Sequence, residues 1–140
     1  MPSVRDARID AIPQKIDARG TLAVAEFSRF VPFKVVRIFY VFGVPPGTTR
    51  GRHAHKLCSQ YMICQRGRVH MELSDGAETR GFELKAGNGM LIEPGIFASE
   101  SYLDADTVLL ALCDRPYEAE DYIHTMDEFL EYVRAAGGSR

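Results

Sequence analysis

"GTTRGRHAHKLCSQYMICQRG", residues 47–67, places two histidines one residue apart, His53 and His55, in a chain that has four histidines in all. On an extended strand, residues two apart project to the same face, so both imidazoles point one way and Ala54 the other. Histidine titrates near neutral pH, so two of them on the inner face of a β-structure would form an acid–base site. A hydrated strand end without a role is the alternative, and the flanking sequence decides between them.

Upstream, "KVVRIFYVFGV" (34–44) is dense in β-branched and aromatic residues and stops at Pro45-Pro46-Gly47, which predicts a strand buried on both faces followed by a turn. Downstream, "QYMICQRG" and "RVHMELSDG" read as two strands split at Gly67; in the second, Val69, Met71 and Leu73 alternate with Arg68, His70 and Glu72, so one face is wet. Arg68 and His70 are accordingly expected on the surface. Asp75-Gly76 predicts a hairpin turn before "ETRGFEL", and "GMLIEPG", "IFASESYL" and "DTVLLALC" continue the pattern to about residue 113. Short strands punctuated by Gly, Pro and Asp predict an all-β sandwich or barrel. The period then changes. Ile123, Met126, Phe129, Leu130 and Val133 recur at helical steps, Thr125 with Glu128 forms a capping box, and Gly137-Gly138 is a stop, so one C-terminal α-helix is expected to cover an opening or edge of the β-domain.

The bulk numbers are those of an ordinary globular chain: 140 residues, 46% apolar and 26% charged, which predicts a single domain over 1–140. A net charge of −2 argues against a nucleic-acid binder, which would carry a basic excess. Cys58, Cys64 and Cys113 are an odd number without metal spacing, so they are expected as free, mostly core thiols in a reducing compartment. "MPSVRDARIDAIP" at the N-terminus has no apolar signal region and no long apolar run occurs, so no membrane association and a cytoplasmic location are expected.

Gly47, five residues, His53-Ala54-His55, four residues, Gln60, six residues and Gly67 match the spacing of the first cupin motif, except that Gln60 stands in place of its glutamate. The second cupin motif is partial: Asn88-Gly89 through Pro94-Gly95 keeps its turn, but Ala98 falls where the third metal histidine would be. Two imidazoles and an amide make a poor transition-metal set, so the histidines are read as proton-transfer groups and no metal is expected.

"RIFYVFGV", "RGRHAHK", "LSDG" and "CDRPYEAEDYIHTMDEFLEYV", with "DARGTLAVAE" near the N-terminus, together resemble the cupin-type thymidine-diphosphate-sugar 3,4-ketoisomerases. The resemblance implies a cupin jelly-roll barrel without metal or cofactor. It also implies a homodimer exchanging N-terminal strands, and a dTDP-linked 4-keto-6-deoxyhexose as substrate in deoxyamino-sugar biosynthesis. Shifting the ketone from C4 to C3 needs a base at C3, an enediol and an acid at C4. His53 or His55 is the expected base, with Arg50 and the Tyr40 hydroxyl as candidates to stabilise the enediolate. For the nucleotide sugar the candidates are Arg37, Phe39, Arg52, Gln60, Arg66 and Phe97; of the arginines, Arg37 and Arg50 match the family pattern best. The chain departs from that pattern at Phe39, where tyrosine is usual, at Arg52, at His124, and at Phe97-Ala98-Ser99, where Trp-His-Glu is usual. These departures leave open an epimerase or dehydratase on the same substrate class, or a non-catalytic sugar-nucleotide-binding cupin.

Overall fold

The computed structural model describes residues 1–137, and Gly138, named above as part of the helix stop, lies outside them. In chain order the strands are β1 (Asp10–Ala11), β2 (Gln14–Asp17), β3 (Gly20–Ala23), β4 (Arg37–Val41), β5 (Thr48–His55), β6 (Gln60–Arg66), β7 (Arg68–Ser74), β8 (Thr79–Lys85), β9 (Asn88–Ile92), β10 (Phe97–Tyr102), β11 (Val108–Cys113) and β12 (Tyr122–Ile123). One α-helix, α1 (Met126–Ala136), follows, with two short 3₁₀ turns at Val4–Asp6 and Ala119–Asp121.

Ten strands form two five-stranded sheets, ordered β1-β9-β6-β11-β4 and β12-β5-β10-β7-β8, with every pairing antiparallel. Sequence neighbours β4 and β5 thus sit in different sheets, the crossing expected of a cupin-like jelly roll. The sheets face each other across a core that joins Met62, Cys64, Met90, Ile92, Leu109 and Ala111 of the first to Val69, Met71, Leu73, Leu84, Ala98 and Tyr102 of the second. Period-2 alternation puts these residues inside: β7 buries Val69, Met71 and Leu73 and turns Arg68, His70 and Glu72 outward, as its sequence predicts. The β7–β8 turn is built by Asp75, whose Oδ1 accepts from the backbone N–H groups of Ala77 and Glu78, with Gly76 at φ 92°.

Both sheets are also covered from outside. The N-terminal segment lays Ile12, Phe30, Val31 and Phe33 over Tyr61, Leu91, Leu110 and Leu112 of the first sheet. Helix α1 docks Phe129, Tyr132 and Val133 on Ala54, Phe97 and Ile123 of the second. It therefore covers the back of the histidine-bearing sheet and not an opening or edge. Its N-cap is Thr125, whose hydroxyl accepts from the Glu128 N–H.

A second expectation changes. Segment 34–44 is not buried on both faces: β4 is the edge of its sheet, with Phe39 and Val41 turned to the core and Ile38, Tyr40 and Phe42 on the exposed side. Its near-continuous apolar character comes from an inner face that packs and an outer face that is apolar yet uncovered. Strands β2 and β3 pair only with each other, as a hairpin whose residues are all exposed. The three thiols are free and buried, as expected.

Candidate active site

Strand β5 carries the two histidines, and its side chains alternate only as far as Gly51. In the pairing of β5 with β10, Ala98 lies opposite His53 and Glu100 opposite Arg50, so three steps on β5 match two on β10. This β-bulge is built on Gly51, at φ 70°, a conformation that glycine adopts without strain. Its consequence is functional. Arg50 and His53, an odd number of residues apart, line the same cavity, while Thr49 and Arg52 line a cleft on the opposite face of the sheet. The cavity, about 260 Å³, is walled by Arg37, Phe39, Val41, Met62 and Leu109 of the first sheet and by Arg50, His53, Glu100, Tyr102 and Tyr122 of the second.

His53, His55 and Tyr122 form an aromatic cluster: the imidazoles meet edge-on at 4.9 Å between centroids, and the Tyr122 ring lies 5.0 Å from His53 and 4.4 Å from His55. Strand β12 brings Tyr122 there by pairing with His55, and the 3₁₀ turn before it brings Asp121. The His55 Nδ1 lies 2.8 Å from Asp121 Oδ2, and both side chains are buried. Asp121 also accepts from the N–H groups of Leu57 at 2.7 Å and Cys58 at 3.4 Å. Burial opposes ionisation of Asp121, but these donors, His55 first, hold its pKa below the ordinary carboxylate range. For His55, burial outweighs the pull of Asp121 and lowers the pKa, so the pair is a neutral imidazole donating Nδ1–H to a carboxylate. That tautomer leaves Nε2 as a lone-pair nitrogen, and it has no protein partner. His53 is pushed down to about 4, by burial first and then by repulsion from His55 and His124. At neutral pH both imidazoles are therefore unprotonated.

Arg37 Nε is buried without a partner, and its guanidinium lies 5.7 Å from the Phe39 ring and 6.0 Å from the Tyr117 ring. Arg50 is exposed at the cavity rim. Opposite it, the Glu100 carboxyl is buried and its Oε2 has no partner; burial raises its pKa to about 8, against the opposing pull of Arg50. Elsewhere, His55, Cys58 and Asp121 bring one potential ligand atom each within 4.8 Å. The Asp121 oxygens are already occupied by three N–H donors, and a hydrogen bond to Cys113, with burial, pushes the Cys58 thiol up, so this set suits hydrogen bonding better than a metal ion.

The family model described as FdtA: WxcM-like, C-terminal, matches residues 5–134, nearly the whole chain. The chain belongs to this family. A curated relative, the TDP-4-oxo-6-deoxy-alpha-D-glucose-3,4-oxoisomerase of Aneurinibacillus thermoaerophilus, is 30% identical over 119 residues, covering 84% of this chain and 86% of its own. Among solved structures, a 3,4-ketoisomerase from Helicobacter canadensis superposes with a TM-score of 0.85 at 31% identity, covering 92% of this chain and 98% of the other. QdtA, a sugar 3,4-ketoisomerase from Thermoanaerobacterium thermosaccharolyticum in complex with TDP, superposes with a TM-score of 0.86 at 27% identity, over 96% and 98% of the two chains.

Of the residues singled out in the sequence, the fold brings His53, Arg50, Arg37 and Phe39 to one cavity, with His55 directly behind His53. It separates the others. Tyr40 is on the outer face of β4, 63% exposed, because it is one residue out of phase with Phe39; its hydroxyl does not reach the cavity. Arg52 faces the outer cleft with His70 and His124. Arg66 ends β6 at the surface, paired with Asp106 at 3.0 Å. Phe97 is on the back of its strand, 5.6 Å from Phe129 under the helix. Gln60 is buried, its amide donating to Cys113 Sγ at 3.6 Å. Glu100, Tyr102, Asp121 and Tyr122 belong to the site without having been read from the sequence. For Asp121 and Tyr122 the "EDYI" run was a visible signal; for Glu100 only its two-residue offset from Ala98 could have pointed inward.

Proposed function

We propose that the chain is a 3,4-ketoisomerase acting on a dTDP-linked 4-keto-6-deoxyhexose, in deoxyamino-sugar biosynthesis. The observation that carries this reading is the unprotonated His53, backed by His55, at one cavity with Arg37 and Arg50, in a fold whose relatives bear that activity in their names. The nucleotide diphosphate is met by Arg37, half-buried with an Nε that has no protein acceptor, and by Arg50 at the rim, and the flat Phe39, Tyr117 and Tyr122 rings suit the base or sugar. With the sugar in the cavity, His53 removes the C3 proton as the C3–H electron pair forms the C3–C4 double bond and C4–O gains electron density. Arg50 stabilises that developing oxyanion. Returning the proton to C4 from the His53 imidazolium, as the ketone forms at C3 and a second proton passes from O3 to O4, completes the isomerisation. His55, its tautomer set by Asp121, packs edge-on behind His53 and holds that ring in place. No cofactor is needed, because every step moves a proton.

The test is proton NMR of the protein with thymidine-diphosphate-4-keto-6-deoxyglucose in deuterated water. A 3-keto sugar with deuterium at C4 is expected. A sugar that binds but shows neither exchange nor product would sink the isomerase and leave a binding protein.

The working form in this reading is a cytoplasmic homodimer with exchanged N-terminal strands. Support comes from the β2–β3 hairpin, with Ile16 and Leu22 exposed, and from the bare apolar edge of Ile38, Tyr40 and Phe42. Among the described residues no helix is long and apolar enough to cross a membrane. Light scattering should give twice the chain mass, and deleting residues 1–24 should yield monomers; a monomeric full-length chain would rule out the exchange.

A further inference from the structure

The isomerisation moves two protons, and the histidines account for one. Besides the transfer from C3 to C4, a proton must arrive on O4 as the ketone there is reduced and leave O3 as the new ketone forms. Arg50 cannot do this, since guanidinium does not release its proton in proteins. The group required can give a proton to one oxygen and take one from its neighbour, is protonated at rest, and sits on the cavity wall beside the base.

Glu100 meets that description. On the inner face of β10 it follows Ala98, the residue opposite His53, and precedes Tyr102. Its carboxyl is buried with Oε2 unpartnered, an arrangement that costs free energy unless a ligand completes it. The backbone is shaped around it: a Cβ at Gly51 would overlap the Glu100 carboxyl, so the bulge glycine makes its room. The charged and titratable groups around it are Arg50 and His53 from β5, Tyr102 on its own strand, Arg37 from β4 and Tyr122 from β12, while β6 brings Met62 and β7 pairs Met71 with it. Among them only Arg50 pulls it towards the carboxylate, and burial prevails: its pKa of about 8 keeps the acid form dominant at neutral pH.

We infer that Glu100 is the acid–base group that carries a proton between the two sugar oxygens, a step that rests on the ketoisomerase reading above. As His53 takes the C3 proton, Glu100 gives its proton to O4, leaving a neutral enediol, a carboxylate and an imidazolium. As the imidazolium protonates C4, the O3–H bond breaks to form the C3 ketone and its proton returns to the carboxylate. Both side chains end as they began. A carboxyl group has two oxygens, so one can give a proton to O4 while the other accepts the proton of O3.

Glu100→Gln keeps shape and hydrogen bonding but cannot return a proton. It should lower kcat by ~10²–10⁴-fold, the usual contribution of a positioned acid or base. In deuterated water the variant should still exchange the C3 proton of recovered substrate, catalysed by His53, while 3-keto product lags far behind. Wild-type kcat should fall as pH rises through about 8, where the acid form is lost, and the variant should lack that alkaline limb. Glu100→Asp should recover part of the rate. If wild type isomerises the sugar while Glu100→Gln stays within about threefold of its kcat, or keeps the alkaline limb, the inference is wrong and the ketoisomerase stands. A wild type that produces no 3-keto sugar overturns the functional reading itself.

Discussion

Asparagine at position 53 leaves a protein that binds nucleotide but hardly turns over: His53→Asn should lower kcat by ~10²–10⁴-fold, with the Kd for thymidine diphosphate within about threefold of wild type. The cavity wall explains the split. His53 faces the space where the sugar ring must sit, whereas the groups suited to the diphosphate, Arg37 and Arg50, are other side chains. Asparagine matches the imidazole in size and polarity but has no nitrogen lone pair to receive the C3 proton. Single-turnover kinetics with calorimetric binding would show it; an equal loss of rate and affinity would make His53 a ligand-holding residue instead. A second readout concerns acid stability. The His53 pKa is about 4 in the fold against 6.5 for an ordinary imidazole, so the folded state binds fewer protons than the unfolded one. Stability is therefore intact above pH 6.5 and falls as pH drops towards 4, by at most about 3 kcal/mol. The asparagine variant should lose that part of its acid sensitivity.

Truncating one residue of the helix should cost more stability than any other change considered. Phe129 is completely buried, its ring 5.6 Å from Phe97, between the helix and the back of the second sheet. Phe129→Ala should destabilise the protein by about 3–5 kcal/mol, because the lost apolar contacts leave a cavity that a rigid sheet cannot collapse into. For a chain of this size that corresponds to a drop in Tm of roughly 10 °C or more. The effect should reach the chemistry as well. Ala54, which Phe129 covers, lies between the two histidines, and Ile123 beside it follows Tyr122 on the strand that pairs with His55. Loosening this layer should lower kcat in the fraction that remains folded. Leu130→Ala, one residue along on the half-exposed side of the helix, should cost under about 1 kcal/mol. Thermal unfolding followed by circular dichroism separates the two; similar losses would mean that the helix does not depend on this contact.

Much of the architecture was readable from local pattern. Alternation in "RVHMELSDG", the Asp75-Gly76 turn, and the change to helical period with Thr125 as cap all appear where expected, because each depends on a few neighbouring residues. The reading went wrong where one pattern serves two purposes. "KVVRIFYVFGV" is apolar on both faces, which normally marks a strand covered on both sides, yet β4 lies at a sheet edge with Tyr40 exposed. Composition reports that a face is apolar and is silent on what covers it.

The site shows the same division. His53 and His55 and their common direction follow from a two-residue spacing, and the choice of Arg37 and Arg50 came with the family pattern. Parity counted along β5 sets Arg50 and His53 on opposite faces, and only the bulge at Gly51 reverses that. The Asp121–His55 contact joins residues 66 positions apart, and Glu100 comes to the cavity opposite Arg50 by the pairing of β10 with β5. Which side chains meet across strands depends on register, bulges and sheet order, and these are settled by packing the whole core at once, so no local stretch of the chain contains them.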